Sequence, residues 1–123
     1  MRLYHFTAAH LLKRIKKEGL TMGAIPLSLN PVRIKSGYRW LTTNREFEQS
    51  WNTMTMLKYD RAAYRITIDI PEDDRRLMKW TLAGPVIAPE VYDTLSRYGD
   101  PDAWYLYEGN IPTRWFGEIV RRR

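Results

Sequence analysis

A chain of 123 residues, 44% hydrophobic and 28% charged, has the size and composition of one globular domain, and two hydrophobic cores would each be starved of buried surface. With no cysteine and only two histidines, it excludes a disulfide framework, a thiol nucleophile and thiolate-ligated zinc, and no structural metal is expected. A net charge of +6 predicts attraction to polyanions, whether nucleic acid, a nucleotide or an acidic protein, although charge runs also serve simply as solvated faces.

The first residues, Met1-Arg2-Leu3-Tyr4, enter a strand-like segment without the apolar stretch of a secretion signal, and no apolar run approaches the roughly 18 residues that span a bilayer. The expectation is a cytoplasmic protein with no membrane partner. Residues 2–6 alternate and carry bulky aromatics, which suits a strand in a half-buried sheet. Thr7 then has the residue type of a helix N-cap. From Ala8 to Glu18, the apolar positions Ala8, Leu11, Leu12 and Ile15 follow one helical face, with Lys13, Arg14, Lys16 and Lys17 elsewhere around the helix. Gly19 supplies a left-handed stop, and Leu20 is expected to fold back on the last turn.

Residues 21–37 contain Gly23, Pro26, Asn30, Pro31, Ser36 and Gly37, and predict a connecting loop. Residues 38–43 read as a second strand. Asn44 followed by residues 45–51 reads as a capped short helix with Phe47 and Trp51 sharing a face. Tyr64 to Ile70 alternates apolar Tyr64, Ile66, Ile68 and Ile70 with polar Arg65, Thr67 and Asp69, giving a strand that stops at Pro71; Arg65 is expected to pair with Asp69 or Asp60. A helix is expected through residues 72–80, with Asp73 and Asp74 as its N-terminal charges, and another from Pro89 to Tyr98, ending at Gly99. Residues 104–107 form a strand, residues 109–112 turn it, and Trp115 to Val120 makes a last strand.

His5 is the polar exception inside the first strand, and an imidazole at that depth needs a hydrogen-bond partner. Such a residue is more often structural than functional, and N-capping alone would explain Thr7. His10, on the helix, is expected to face solvent or to serve as a local cap.

The opening Leu3-Tyr4-His5-Phe6-Thr7, followed by an amphipathic helix ending Glu18-Gly19-Leu20, resembles the first strand and helix of the ADP-ribosyltransferase-like superfamily, which includes poly-ADP-ribose polymerases, bacterial DNA-modifying toxins and the RNA 2′-phosphotransferases. Trp40-Leu41-Thr42-Thr43 resembles its second motif, an aromatic residue followed by small hydroxyl residues. The segment from Tyr105 through Gly109-Asn110-Ile111-Pro112 resembles its late strand and Gly-x-Ile-Pro turn. The likeness spans most of the chain. It implies an α+β fold of two small, twisted, mostly antiparallel sheets with short flanking helices around a cleft for NAD, in one domain covering residues 1–123.

The implied activity is transfer of ADP-ribose from NAD, the substrate, to a nucleic acid or protein acceptor. In that pattern His5 contacts a ribose, Trp40 takes the place of the stacking aromatic, and Thr42 and Thr43 line the pocket, with Thr7 and Tyr38 beside them. Cleavage of the nicotinamide glycosidic bond builds positive charge on the ribose, so a nearby carboxylate is needed. Trp104 occupies the position where the family commonly has Glu. Glu108 and Asp102 are the remaining candidates, and Glu108 is favoured. If neither carboxylate reaches the pocket, the implied role is a catalytically silent nucleotide or RNA-end binding module. A protein-interaction factor on the same fold is the third reading.

Overall fold

The computed structural model describes residues 1–29, 31–49, 60–82, 87–97 and 99–122. In chain order these form β1 (Arg2–Thr7), a 3-10 turn at Ala9–Leu11, α1 (Leu12–Glu18), β2 (Ala24–Leu29), β3 (Val32–Ser36), β4 (Tyr38–Thr42), β5 (Tyr64–Asp69) and β6 (Leu77–Lys79). There follow 3-10 turns at Trp80–Leu82, Pro101–Ala103 and Thr113–Trp115, interleaved with α2 (Pro89–Arg97), β7 (Trp104–Glu108) and β8 (Phe116–Arg121). Among the described residues the fold is α+β, with two antiparallel sheets and two short α-helices. Six strands in the spatial order β6-β7-β4-β1-β5-β8 make the main sheet, and β2 with β3 makes a separate ribbon. Among the described residues, no helix is long and apolar enough to cross a membrane.

Strand alternation sends side chains to two covered faces of the main sheet. On one face Leu3, Leu41, Ile66, Ile68 and Tyr107 pack with Leu12 of α1, Leu20 and Ile111. On the other, Tyr38, Trp104 and Leu106 pack with Trp80, Ile87, Val91 and Ile25. The β5 alternation therefore separates two interiors rather than core from solvent, and Arg65 and Thr67 are themselves buried.

Several local expectations change. Thr7 ends β1 with its side chain buried, and it caps nothing: Ala8 holds the extended conformation before the 3-10 turn, with no side-chain cap. The apolar face predicted from Ala8 onward becomes α-helical only at Leu12. Gly19 does take a positive φ of 84°, but Leu20 pairs with Ile111 in an isolated bridge instead of folding back on α1.

Residues 21–37, expected as a loop, contain the β2–β3 ribbon. Its glycines sit at the root, where Gly37 N–H donates to the Gly23 carbonyl at 3.1 Å. Pro26 is tolerated because the register shifts between Pro26 and Ser28, and an irregular ladder does not need its missing N–H. The helix expected after Asn44 is not formed over residues 45–49. The Asn44 Oδ1 accepts the Glu46 N–H at 3.0 Å, a local turn that competes with helix; Ser50 and Trp51 lie outside the described residues.

The helix expected over residues 72–80 is a turn followed by β6, which pairs with β7 through Leu77↔Tyr107, Met78↔Leu106 and Lys79↔Tyr105. Asp74 organises that turn, accepting from the Arg76 N–H at 3.0 Å and from the Tyr107 hydroxyl at 2.6 Å. The Tyr107 bond, more than the Arg76 contacts, holds the Asp74 carboxyl below its ordinary pKa. Burial first, and the Asp74 bond second, push the Tyr107 hydroxyl up to about 12, so it remains a donor at neutral pH.

Tyr107→Phe should cost about 2 kcal/mol in urea unfolding at neutral pH, the scale of a hydrogen bond to a charged group. Because the folded-state pKa of Asp74 is depressed, this stability is present above the unfolded carboxyl pKa of about 4 and is lost as pH falls through the lower folded value. Wild-type and Tyr107→Phe stabilities should converge in that acid range. A difference independent of pH down to the acid limit would contradict the assignment.

Arg65 pairs with neither Asp69 nor Asp60. A residue four positions along a strand lies about 13 Å away, out of reach. Asp69 instead meets Arg2 at 3.1 Å, and Asp60 meets Arg122 at 3.6 Å. The Arg65 guanidinium is enclosed between the Tyr4 and Phe47 rings, donates to the Arg45 carbonyl at 2.7 Å and lies 3.7 Å from Glu118.

Candidate functional site

The main sheet is nearly split between β1 and β4. β1 pairs with β5 over six residue positions, whereas only Tyr4↔Thr42 joins β1 to β4. Beyond that pair the Trp40 carbonyl, which a continuing ladder would give to a backbone N–H of β1, is taken by His5 Nδ1 at 2.9 Å. A carbonyl can only accept, so Nδ1 carries the proton and, in the neutral ring, Nε2 is left as an acceptor. Burial pushes the His5 pKa below its ordinary value; the bond to Trp40 opposes that shift, and the positive charges of Arg61 and Arg39 reinforce it. The ring keeps some open surface even so. With Thr7, Arg14, Ile15, Leu20 and Met22 it lines a cavity of about 80 Å3.

Arg39 forms the structural frame beside this cavity. It is only 3% exposed, and its guanidinium donates to the carbonyls of Leu20 at 3.1 Å and Tyr38 at 3.1 Å and to Asn110 Oδ1 at 2.9 Å. It thus ties the chain after α1 to β4 and to the Gly109–Asn110 turn. Burial lowers its pKa, and no ion pair with a carboxylate is formed among the described residues. In the sequence Arg39 reads as surface charge. The signal for its burial is its period-two relation to Leu41, which places it on an interior face.

The residues expected at one cleft divide between the two faces of the sheet. His5 and Thr7 share the α1 face. Trp40 points the other way, into an aromatic cluster with Trp80 at 5.1 Å and Trp104 at 5.9 Å, and its indole donates to the Ala24 carbonyl at 3.0 Å. Tyr38 is buried in that same cluster, with the Lys35 ammonium 5.6 Å from its ring centre. Thr42 is buried on the Trp40 side and accepts the Asn44 N–H at 3.0 Å, while Thr43 is exposed just past the strand.

The carboxylates flank His5 rather than meet it. Trp104 is opposite Thr42, which is opposite Tyr4, so Trp104 lies one residue row from His5 and is buried there. Glu108 is opposite Tyr38, exposed, and about 10 Å farther along the strand direction than His5 as well as two strands across. Asp102 is exposed in the 3-10 turn beyond the opposite end of β7. His10 is exposed, and Phe47 packs edge-on against Phe6 at 5.7 Å. Among the described residues, no three His, Asp or Glu side chains gather as a metal site.

The architecture defines an α+β fold with a cavity lined by His5 and Thr7 of β1, by α1 and by residues 19–22. Comparison with protein-family models, with curated proteins and with solved structures finds no match.

Proposed function

We propose that this chain is a nucleotide-binding module of ADP-ribosyltransferase-like architecture, in which the cavity between β1, α1 and residues 19–22 receives one ribose-bearing end of a nucleotide. The observation that carries the reading is the His5 ring held by the Trp40 carbonyl, with Nε2 as its remaining acceptor, in a residue that lines a cavity. A ribose hydroxyl is the donor such a nitrogen accepts, and Arg14 is a cation lining the same cavity. The order of the motif-bearing strands and helix along the chain supports the architectural part of the proposal.

NAD is the first ligand to test, and it fits only in part. A cavity of about 80 Å3 takes a fragment of a dinucleotide, and sites that enclose a drug-sized ligand are typically 300–1,000 Å3. The placement of Glu108 and Asp102 away from His5 favours the silent binding module over the transferase, because neither of these carboxylates lines the cavity, where an oxocarbenium charge would need one.

The test is calorimetry with AMP and with NAD on the wild type and on His5→Asn, whose amide can still donate to Trp40 but lacks an Nε2 counterpart. A five- to thirtyfold loss of affinity is expected, the range for one hydrogen bond in a partly buried site. Because the His5 pKa is depressed, affinity should stay level from pH 8 down to about 6.5. Equal heats for the wild type and His5→Asn would remove His5 from the site. Label transfer from radiolabelled NAD, lost in Glu108→Gln, would restore the transferase reading.

A further inference from the structure

We propose that the β2–β3 ribbon is a nucleic-acid-binding arm, with β3 lying along a duplex groove and Arg33 and Lys35 against its phosphates. The strand is unlike the other described strands in that all five of its residues are exposed, the Lys35 ammonium reaching back to 5.6 Å from the Tyr38 ring centre. Val32 and Ile34 are 73% and 67% exposed on one face, and Arg33 and Lys35 alternate with them on the other. Among the described residues, its outer edge pairs with no further strand.

An exposed, apolar edge of this kind is an aggregation hazard unless charge or a partner covers it. The charge on this part of the chain says which partner. Residues 1–45 contain nine Lys and Arg and a single acid, Glu18, a net of +8; residues 46–123 contain eleven Lys and Arg against thirteen acids, a net of −2. Glu18 is already engaged by Arg14 at 2.7 Å, and Arg14 also reaches Met22 at the ribbon root, 3.4 Å away. From residue 19 to residue 45 the chain has no carboxylate side chain at all. The element packed against the ribbon, α2, carries Glu90 and Asp93, and neither forms an ion pair with Arg33 or Lys35 among the described residues.

The shape fits the same partner. A major groove about 12 Å wide admits a two-stranded ribbon, and five residues of strand run about 17 Å, enough to cross several phosphates. Aliphatic side chains at Val32 and Ile34 would meet base edges or thymine methyls, while the basic pair holds the backbone. This surface is separate from the His5 cavity, so the two proposals stand or fall independently.

The test is fluorescence anisotropy of a labelled DNA duplex two helical turns long, over a salt series, with the wild-type chain and the double variant Arg33→Glu, Lys35→Glu. Both side chains are solvent-exposed, and circular dichroism should show the fold retained. We expect at least a tenfold loss of affinity and a fall of about two in the slope of log K against log salt, one for each lost phosphate contact. Val32→Ser with Ile34→Ser should weaken binding while leaving that slope unchanged.

Unaltered affinity in the charge variant would overturn the proposal, as would equal affinity for polyglutamate at the same ionic strength, which would mark the arm as a site for acidic protein. His5→Asn should bind the duplex like the wild type. Duplex binding without AMP binding would therefore overturn the His5 reading alone.

Discussion

Gly19→Ala is expected to destabilise the protein by about 4 kcal/mol and to lower its melting temperature by roughly 15 °C. Gly19 sits at φ 84° and ψ −170°, a region that is essentially glycine's own, and this alone costs an L-residue about 1–3 kcal/mol. A Cβ there would lie 2.3 Å from the Ile111 carbonyl oxygen, a backbone atom that cannot rotate aside. Relief requires the chain after α1 to move away from Ile111, which breaks the paired bonds from Leu20 N–H to the Ile111 carbonyl at 2.9 Å and from Ile111 N–H to the Leu20 carbonyl at 3.0 Å. The Arg39 bond to the same Leu20 carbonyl would be disturbed as well. Since Gly19 and Leu20 both line the His5 cavity, the nucleotide binding proposed for that cavity should weaken along with stability. Thermal unfolding followed by circular dichroism checks this, and a shift of only a degree or two would mean that the bridge to Ile111 is not rigid.

Trp80→Ala should cost about 4 kcal/mol, within the 3–5 kcal/mol range for deleting a buried large aromatic, and that is a large part of the 5–15 kcal/mol that holds a typical domain together. Trp80 is fully buried at the centre of the second core. Its ring stacks on Tyr92 at 5.1 Å and 8°, lies 5.1 Å from Trp40 and meets Trp104 edge-on at 5.9 Å. The indole N–H also donates to Ser96 Oγ at 2.9 Å, so the substitution leaves both a void and an unpaired hydroxyl. Trp80 bridges α2 to the β4–β7 part of the sheet, and its loss should loosen α2 first, visible as faster amide exchange over residues 89–97. Trp80→Phe keeps the ring contacts and should recover more than half of the loss. Urea unfolding of the two variants provides the comparison. A cost under 2 kcal/mol for Trp80→Ala would show that the surrounding rings collapse into the space, as well-adapted cores sometimes do.

The elements legible in the sequence are those whose signal is local. The β1, β4, β5 and β7 segments alternate or carry β-branched and aromatic runs, α2 is a continuous helical stretch, and Gly19 stops α1 with the positive φ that glycine supplies without a Cβ penalty. The β6 strand was not legible, because residues 77–79 become a strand only by pairing with β7, and the Asp74 turn before them offers the backbone an alternative to helix. The ribbon was concealed by its own punctuation: Gly23, Pro26 and Gly37 read as loop, yet they serve as its root and its register shift.

For the site, sequence reasoning could single out His5 as the polar residue out of place in an apolar strand, while the choice of Glu108 and Asp102 rests on the resemblance alone. Which face of the sheet each residue occupies depends on strand register, a relation between segments distant in the chain. Tertiary structure alone therefore placed Trp40 and Thr42 behind the sheet from His5, moved Glu108 and Asp102 to its flanks, and turned Arg39 from an apparent surface charge into the clamp of the cavity wall. Residue type and spacing determine what a segment is able to become; pairing and packing, which sum over contacts no local window contains, decide which side chains meet.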